Sequence, residues 1–181
     1  MSRPESNIEV KARCADLAAL RLLALEAGAE FVVEMAQRDT YFRHPRKRLK
    51  LRLIEDRSGR RAELIGYRRD DAGRPRPSRY TVRRVRLPAL RRRWLALRYG
   101  VLAEVSKRRE LWRRRGVRIH LDEVKGLGSF VELEAVVGKI GSVEEAERRC
   151  RRLMEILGVD SGEIIGCSYA DLVVERAVEQ P

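Results

Sequence analysis

Long parts of the chain alternate apolar and polar residues with a period of two, which is the pattern of β-strands with one buried face. Turn-forming stretches such as "RSGR" and "KGLGS" separate these segments, so we expect antiparallel strands joined by hairpins. The predicted strands are "NIEVK", "FVVEMAQRDTYF", "RLKLRLIED", "RAELIGYRR", "RYTVRRVRL", "AEVSKRRELW", "GVRIHLDEV" and "SFVELEAVV". The pattern therefore predicts a sheet of seven or eight antiparallel strands.

Three other segments have the spacing of amphipathic helices. The first begins at Asp16 and ends at Gly28, and the second is "PALRRRWLALRYG" (88–100). The third begins at a capping box of Ser142 and Glu145, ends before Gly158, and is the final predicted helix.

Several large apolar side chains and arginine runs have a simple structural interpretation. In the second helix Leu90, Trp94 and Leu97 lie along one side. We expect Trp94, Trp112 and Cys150 to pack in the interior. The arginine runs 91–93 and 113–115 are expected to be solvated.

One face of several predicted strands carries charges of both signs at a spacing of two. On a single strand this is most simply a solvated face. Its recurrence on strands far apart in sequence favours a sheet that closes with the charged face inward and helices outside. The residues of this face are Glu9, Lys11, Lys50, Arg52, Glu63, Lys107, Arg109, Arg118, His120, Asp122, Glu132 and Glu134.

The overall charge indicates an anionic partner. The chain has 181 residues and a net charge of +13, and most of its 40 basic residues are arginines. We expect the inward cations to exceed what the inward acids can neutralise, so that a polyanion with its metal ions completes the balance.

The cysteines and the apolar segments bear on location. Cys14, Cys150 and Cys167 are scattered, which argues against a disulfide framework and for a reducing cytoplasm. No apolar run approaches the length of a membrane span, so we expect no membrane partner.

The same segments, taken in order, resemble a known family. "NIEVK", the "KLR" and "AEL" of the following strands, "SKRR", "RIHLDEVKGLGSFVELE" and "SYADLV" are similar to the CYTH domains, or triphosphate tunnel metalloenzymes. The resemblance covers about residues 7–174 and is nearest to the class IV adenylyl cyclase-like branch. It implies an α+β fold, an eight-stranded antiparallel β-barrel with flanking helices, formed by a single domain over residues 1–181.

The resemblance also implies roles for residues of the charged face. Glu9, Lys11 and Arg118 would be catalytic, and Mg²⁺ or Mn²⁺ would be bound by Glu9, Asp122, Glu132 and Glu134. A triphosphate-containing small molecule would be bound by Lys11, Lys50, Arg52, Glu63, Lys107, Arg109 and Arg118.

One position departs from the family pattern. The first Glu of the ExExK signature is Asn7 here, which keeps an oxygen ligand but removes a negative charge, so a metal site should be weaker or use more water. We interpret His120 as a hydrogen-bonded lumen residue rather than a proton donor. Tyr67 and Tyr80 are interpreted as filling a barrel end rather than stacking on a base.

The resemblance implies phosphoryl or nucleotidyl transfer on a triphosphate, either as a triphosphatase or as an adenylyl cyclase. A non-catalytic binder of triphosphate or polyphosphate is the main alternative, because of Asn7 and the many arginines. An RNA-binding β-domain is a weaker alternative, since exposed aromatics are few and nucleic acid is not an expected partner. A homodimer is also possible from the sequence.

Overall fold

The computed structural model describes residues 6–68 and 78–179 of the chain. Eight antiparallel strands form a closed barrel in the order β1-β5-β4-β3-β2-β6-β7-β8. The strands are β1 Ser6–Cys14, β2 Glu30–Phe42, β3 Arg48–Asp56, β4 Gly59–Arg68, β5 Ser78–Arg84, β6 Val101–Arg114, β7 Val117–Val124 and β8 Gly128–Val136. The predicted fold class, an antiparallel eight-stranded barrel with flanking helices, is confirmed.

Helices fill the connections between strands and follow the last strand. They are α1 Leu17–Glu26, α2 Pro88–Tyr99, α3 Val137–Ile140, α4 Val143–Ile156 and α5 Tyr169–Glu179, with a 3₁₀ turn at Ser161–Glu163. Among the described residues, every helix is too short or too polar to cross a membrane.

The prediction that α4 is the final helix is wrong, because α5 follows it. Its start carries a reciprocal capping box: the Asp171 backbone N–H donates to Ser168 Oγ (3.4 Å), and the Ser168 backbone N–H donates to Asp171 Oδ2 (2.9 Å). This S-x-x-D signal is present in "SYAD", so the helix start was readable from the sequence.

Hairpin geometry sets which charged residues face one another inside the barrel. The β6–β7 turn consists of Arg115 and Gly116, whose φ angles of 46° and 84° are those of the tight turns that match strand twist. The resulting register places Arg109 opposite Asp122. At the closing seam β1 pairs with β5 through Ser6–Arg79 and Asn7–Ser78, so the barrel closes over a short contact.

The outward strand faces pack against the helices. Buried residues of β1, β7 and β8, such as Ile8, Ile119 and Leu133, form one core with Cys150 and Leu153 of α4. The predicted interior positions of Trp112 and Cys150 are confirmed by this cluster.

Helix α2 packs against the barrel with a different side from the predicted one. Its only buried residue is Leu95, which packs on Phe42, Leu49 and Leu51. Trp94 is 53% exposed, so the prediction that it packs in the interior is wrong. The helix has two apolar sides, and the sequence pattern alone does not say which one the barrel takes.

The first turn of α5 reaches the inner face of the barrel. Tyr169 and Ala170 pack with Tyr41, Val105 and Phe130, which share the inward parity of their strands with the charged residues. The start of α5 therefore fills one end of the lumen.

Candidate active site in the barrel lumen

The charged side chains lie together on the inner face of the barrel. Residues that are direct partners across neighbouring strands project to the same side of a sheet. The partner pairs Lys11–Glu132, Glu9–Glu134 and Arg118–Glu134 tie β1, β7 and β8 to one charged surface. The pairs Arg52–Glu63 and Asp39–Arg52 extend it across β2, β3 and β4. The strand register thus confirms the prediction that the sheet closes with its charged face inward.

Asp122 is the centre of one lumen cluster. It is fully buried and accepts hydrogen bonds from Arg109 through Nε (2.6 Å) and Nη2 (2.6 Å), and from Lys107 Nζ (3.0 Å). The hydroxyl of Tyr169 donates to Asp122 Oδ2 (2.8 Å). The two-point contact is the fork geometry in which a guanidinium matches a carboxylate or a phosphate.

Asp39 is the centre of a second cluster with the same plan. Arg52 donates to it through Nε (2.7 Å) and Nη2 (2.8 Å), and Lys50 Nζ donates to Oδ2 (2.8 Å). Lys50 Nζ also donates to the Tyr41 hydroxyl (3.3 Å). In both clusters a Lys-x-Arg strand segment holds one aspartate of the neighbouring strand. We call these two groups the Asp39 cluster and the Asp122 cluster.

The cations keep both aspartates ionised. Burial by itself would raise their pKa values, but Arg52 and Lys50 hold the pKa of Asp39 well below its usual range. Arg109 and Lys107 do the same for the pKa of Asp122. A charge buried without partners would instead become neutral.

The two lysines are shifted in the opposite sense. Burial, with the nearby charge of Arg52, lowers the pKa of Lys50 to about 8. Burial and the charge of Arg109 lower the pKa of Lys107 to about 7. An anion entering the lumen would raise both pKa values, so anion binding is coupled to proton uptake.

Glu132 links the Asp122 cluster to β1. Its Oε2 lies 3.3 Å from Arg109 Nη2 and 3.5 Å from Lys11 Nζ, and its Oε1 lies 3.0 Å from His120 Nδ1. Burial opposes the charge, yet Arg109 and Lys11 hold the pKa of Glu132 well below its usual range. Burial and Arg109 lower the pKa of His120, so the imidazole is mostly neutral at pH 7. His120 is thus in contact with a carboxylate, as interpreted from the sequence.

Glu9 and Glu134 form the more open part of the lumen. They face each other directly across β1 and β8, and Lys11 Nζ lies 3.4 Å from Glu9 while Arg118 Nη1 donates to Glu134 (3.1 Å). Their side chains are 36% and 15% exposed. Like charges directly opposite each other on a sheet repel, so this pair favours a cation between them.

The donor chemistry of this region fits a hard divalent cation. Glu9, Glu134 and the neighbouring Glu132 offer carboxylate oxygens, the ligands that Mg²⁺ and Mn²⁺ prefer. Among the described residues, however, no three His, Cys, Asp or Glu side chains converge closely enough to form a ready-made metal cluster. Both oxygens of Asp122 are held by cations and by Tyr169, so this residue positions Lys107 and Arg109 in the present arrangement.

Each of the six lumen cations has a carboxylate partner, but Asp39, Asp122 and Glu132 each serve two of them, so the excess of inward cations stays a prediction. Lys11, Lys107, Arg109 and Arg118 each lie within 3.5 Å of a lumen carboxylate, as do Lys50 and Arg52. The sequence could not show this because Asp39 was not recognised as a lumen acid. The net charge of +13 therefore has to come largely from residues outside the lumen clusters.

The remaining predicted positions are placed less fully. Glu63 is half-buried opposite Arg52, and Tyr67 is opposite Arg48. The side chains of Asn7 and Tyr80 lie outside the described part of the structure, so the interpretations of both stay predictions. The assignment of individual catalytic, substrate and metal roles likewise stays a prediction.

Sequence reasoning missed three elements of the site. The inward position of Asp39 had a signal in the sequence. Asp39 alternates with Gln37 and Tyr41 on one side of its strand, and the other side of that strand faces outward. For Tyr169 there was no signal in the sequence beyond the "SYADLV" motif, because only the fold brings the Tyr169 hydroxyl to Asp122. Arg48 donates to both Ser168 Oγ (3.0 Å) and Asp171 Oδ2 (2.7 Å), which fastens α5 to β3.

Comparison with solved structures gives the same fold in other proteins. The PH1012 protein from Pyrococcus horikoshii matches with a TM-score of 0.80 at 22% identity, covering 92% of this chain and 98% of that one. HpAC1 from Hippeastrum, described as having a dominant triphosphatase activity, matches with a TM-score of 0.64 at 14% identity, covering 96% of each chain. At these identities the likeness shows the fold alone.

Comparison of sequences connects the chain to a family. It is 28% identical over 68 residues to MJ0240 of Methanocaldococcus jannaschii, which is named as a candidate adenylate cyclase. That match spans 38% of this chain and 39% of MJ0240. The CYTH domain matches residues 5–169, which is nearly the whole chain. With its closed barrel and charged lumen, the chain therefore belongs to the CYTH domain family.

Proposed function

We propose that this protein is a metal-dependent enzyme that binds a triphosphate compound in its lumen and breaks a phosphoanhydride bond. The observation that carries the proposal is the pair of matched clusters in which Lys-x-Arg segments of β3 and β6 each grip one buried aspartate. A guanidinium fork and an ammonium group that hold a carboxylate are also suited to phosphate oxygens, which supports the proposal.

Binding would proceed by exchange of partners. Phosphate oxygens would take the place of the Asp39 and Asp122 oxygens at Arg52 and Arg109, and the lysines would become fully protonated. Since the carboxylates already order these cations, little side-chain entropy remains to be lost on binding. Lys11 and Arg118, now paired with Glu132 and Glu134, would contact the remaining phosphate oxygens.

The metal would be held by Glu9, Glu132 and Glu134. A divalent cation held by these carboxylates would supply Lewis-acid stabilisation of charge on the phosphate oxygens. The chain's own residues fix the phosphates in place, and His120 holds one Glu132 oxygen. Catalysis then consists mainly of positioning and electrostatic stabilisation, as is usual for phosphoryl transfer.

The nucleophile decides the reaction class. Water attacking the terminal phosphorus gives a triphosphatase, and a ribose 3′-hydroxyl attacking the α-phosphorus gives a cyclic nucleotide and pyrophosphate. The proteins named after cyclase and triphosphatase activities above make both reactions candidates for this lumen.

Product analysis tests the proposal. The purified protein is incubated with ATP, and separately with inorganic triphosphate, in Mg²⁺ or Mn²⁺, and products are identified by phosphorus NMR. We expect metal-dependent turnover that is lost in Glu132→Ala and kept in Glu123→Ala, an exposed position on the same hairpin. Cyclic AMP with pyrophosphate would identify a cyclase, and orthophosphate would identify a triphosphatase.

A non-catalytic triphosphate binder is the second candidate, favoured by Asn7 at the first signature position. It predicts metal-dependent binding without turnover in the wild type. Replacing Asn7 with Glu should then raise metal affinity or bring about turnover. An active wild-type protein would eliminate this candidate.

A further inference from the structure

Helix α2 and its N-cap residue Leu87 carry an apolar stripe that the described part of the fold leaves exposed. Leu87, Leu90, Trp94 and Leu97 are 65%, 63%, 53% and 80% exposed. Their spacing of three, four and three residues is that of the seam between two packed helices. Apolar side chains scattered singly on a surface need no explanation, but a continuous stripe of this kind marks an interaction site. We call these four residues the α2 stripe.

The stripe borders a concave surface rather than a flat one. A cavity of about 440 Å³ lies between the Val85–Leu87 segment and the side chains of Leu90 and Trp94. At Val85 and Arg86 it adjoins a depression of about 920 Å³ on the outer barrel surface. Small or apolar residues, including Ala36, Leu53 and Ala62, line this depression. The two together form a groove that a rod-shaped partner would fit.

The edges of this groove are basic. Residues 83–98 include seven arginines and no acid. Arg84, Arg86 and Arg91 line the smaller cavity, and the Arg91 guanidinium lies 5.8 Å from the ring of Trp94. Arg38, Arg60, Arg108 and Lys125 line the larger depression, with Glu55 and Glu123 as its acids. Since the lumen cations are paired with lumen acids, the excess positive charge of the protein is available at surfaces such as this one.

These features discriminate between possible occupants. A symmetric contact with a second copy would bring the same arginines against one another, which costs free energy. A membrane surface is flat and would leave the concave part of the groove unfilled. Nucleic acid would match the charge, but stacking requires aromatic rings, and the stripe has one Trp among three Leu residues.

We propose that the α2 stripe and its basic edges are a docking site for an acidic amphipathic helix of another protein. The leucines and Trp94 receive the apolar side of the incoming helix, as in helix-in-groove recognition. Arg84, Arg86 and Arg91 pair with its flanking acids and set its orientation. The α2 stripe shares no residue with the lumen clusters, and the larger depression shares only Lys107 with them.

The test uses a designed peptide as the probe. A Trp-free helical peptide with Leu at its seam positions and Glu on both flanks is titrated into the protein, and the emission of Trp94 is followed. Trp94 is half-exposed and Trp112 is buried, so a blue shift on binding reports the stripe. We expect saturable binding, at least about tenfold weaker in Leu90→Asp and unchanged in Leu22→Asp, which alters an exposed leucine of α1.

Charge exchange separates docking from misfolding. Arg86→Glu with Arg91→Glu should weaken binding of the Glu-flanked peptide and should strengthen binding of the same peptide with Lys flanks. A folding defect would weaken both. Equal binding of a sequence-scrambled Glu/Leu peptide, or absence of binding, would overturn the proposal. The proposal would also be overturned if the protein formed a dimer, or bound phosphatidylglycerol vesicles, and Leu90→Asp abolished that association. Either result would assign the stripe to another occupant.

Discussion

Asp39 determines how the lumen cations behave at the scale of single residues. It is buried and holds Lys50 and Arg52 at 2.7–2.8 Å. Because a buried ion pair costs desolvation, such a group contributes less to net stability than its contacts imply. Its clearer effect is to order two cations in the absence of a ligand. The Asp122 cluster has the same effect on Lys107 and Arg109.

Replacing Asp39 with Asn should destabilise the ligand-free protein and increase its response to triphosphate. The change leaves Lys50 and Arg52 without a buried counter-charge, which costs about 3 kcal/mol of unfolding free energy. Inorganic triphosphate should restore more stability to the variant than it adds to the wild type, because the vacated cations are available to phosphate. Chemical denaturation with and without triphosphate measures both effects.

A suitable control for this variant is Glu34→Gln, which breaks an exposed ion pair with Arg108. Exposed pairs contribute little, so its stability should be close to that of the wild type. An Asp39→Asn variant as stable as this control would show that the carboxylate does not balance the lumen cations.

Triphosphate affinity should fall as the pH rises above neutrality. Contact with phosphate requires the ammonium forms of Lys107 and Lys50, whose pKa values of about 7 and about 8 are lowered first by burial. Below these values both groups are charged and binding is strongest, and above them binding must first recover the protons. Calorimetric titration between about pH 6.5 and about pH 9.5 measures the slope.

The double variant Lys50→Arg with Lys107→Arg removes the titrating groups while keeping the charge. Its affinity should vary much less over the same range, since guanidinium stays protonated. A wild-type affinity that is flat across this range would contradict the lowered lysine pKa values.

At the scale of elements, the helices divide into those that stabilise the barrel and those that present surfaces. Helix α4 inserts Ala146, Cys150 and Leu153 into the core over the outward face of the barrel. Helix α5 instead enters one end of the lumen and contributes Tyr169 to the Asp122 cluster. Helix α2 buries Leu95 and leaves its stripe exposed.

Leu153→Ala should lower the free energy of unfolding by about 2–5 kcal/mol, since Leu153 is buried and its removal leaves a cavity. Leu97→Ala, at an 80% exposed position of α2, should change it by less than about 0.5 kcal/mol. Urea denaturation of both variants measures the difference. Equal effects would mean that α4 is not the main cover of this face.

At the scale of the whole molecule, alternation of apolar and charged residues was enough to predict the barrel. Segments such as "LKLRL" (49–53) and "RIHLD" (118–122) alternate apolar residues, which face outward, with charged residues or histidine, which face inward. Closure followed from the helical segments, which cover the outward face. These features are local and repeat along the chain, so they can be read from it.

The partners of the charged residues could not be read in the same way. Strand register decides that Arg52 meets Asp39 and that Arg109 meets Asp122, and register depends on turn geometry and pairing across distant segments. The position of Tyr169 depends on a helix that enters the lumen from outside the sheet. Trp94 was misassigned because α2 has two apolar sides, and only packing selects Leu95.

The most direct test of the account is whether the lumen cations bind triphosphate. Inorganic triphosphate is titrated in Mg²⁺, by calorimetry, into the wild type, Arg52→Gln and Arg60→Gln. The side chain of Arg52 is 16% exposed and lies in the Asp39 cluster, whereas that of Arg60 is 81% exposed on the same hairpin. We predict that Arg52→Gln weakens binding by at least about tenfold, since a charged fork is lost, and that Arg60→Gln leaves it unchanged. Equal affinity for all three proteins, or an equal loss in both variants, would contradict a triphosphate site in the lumen.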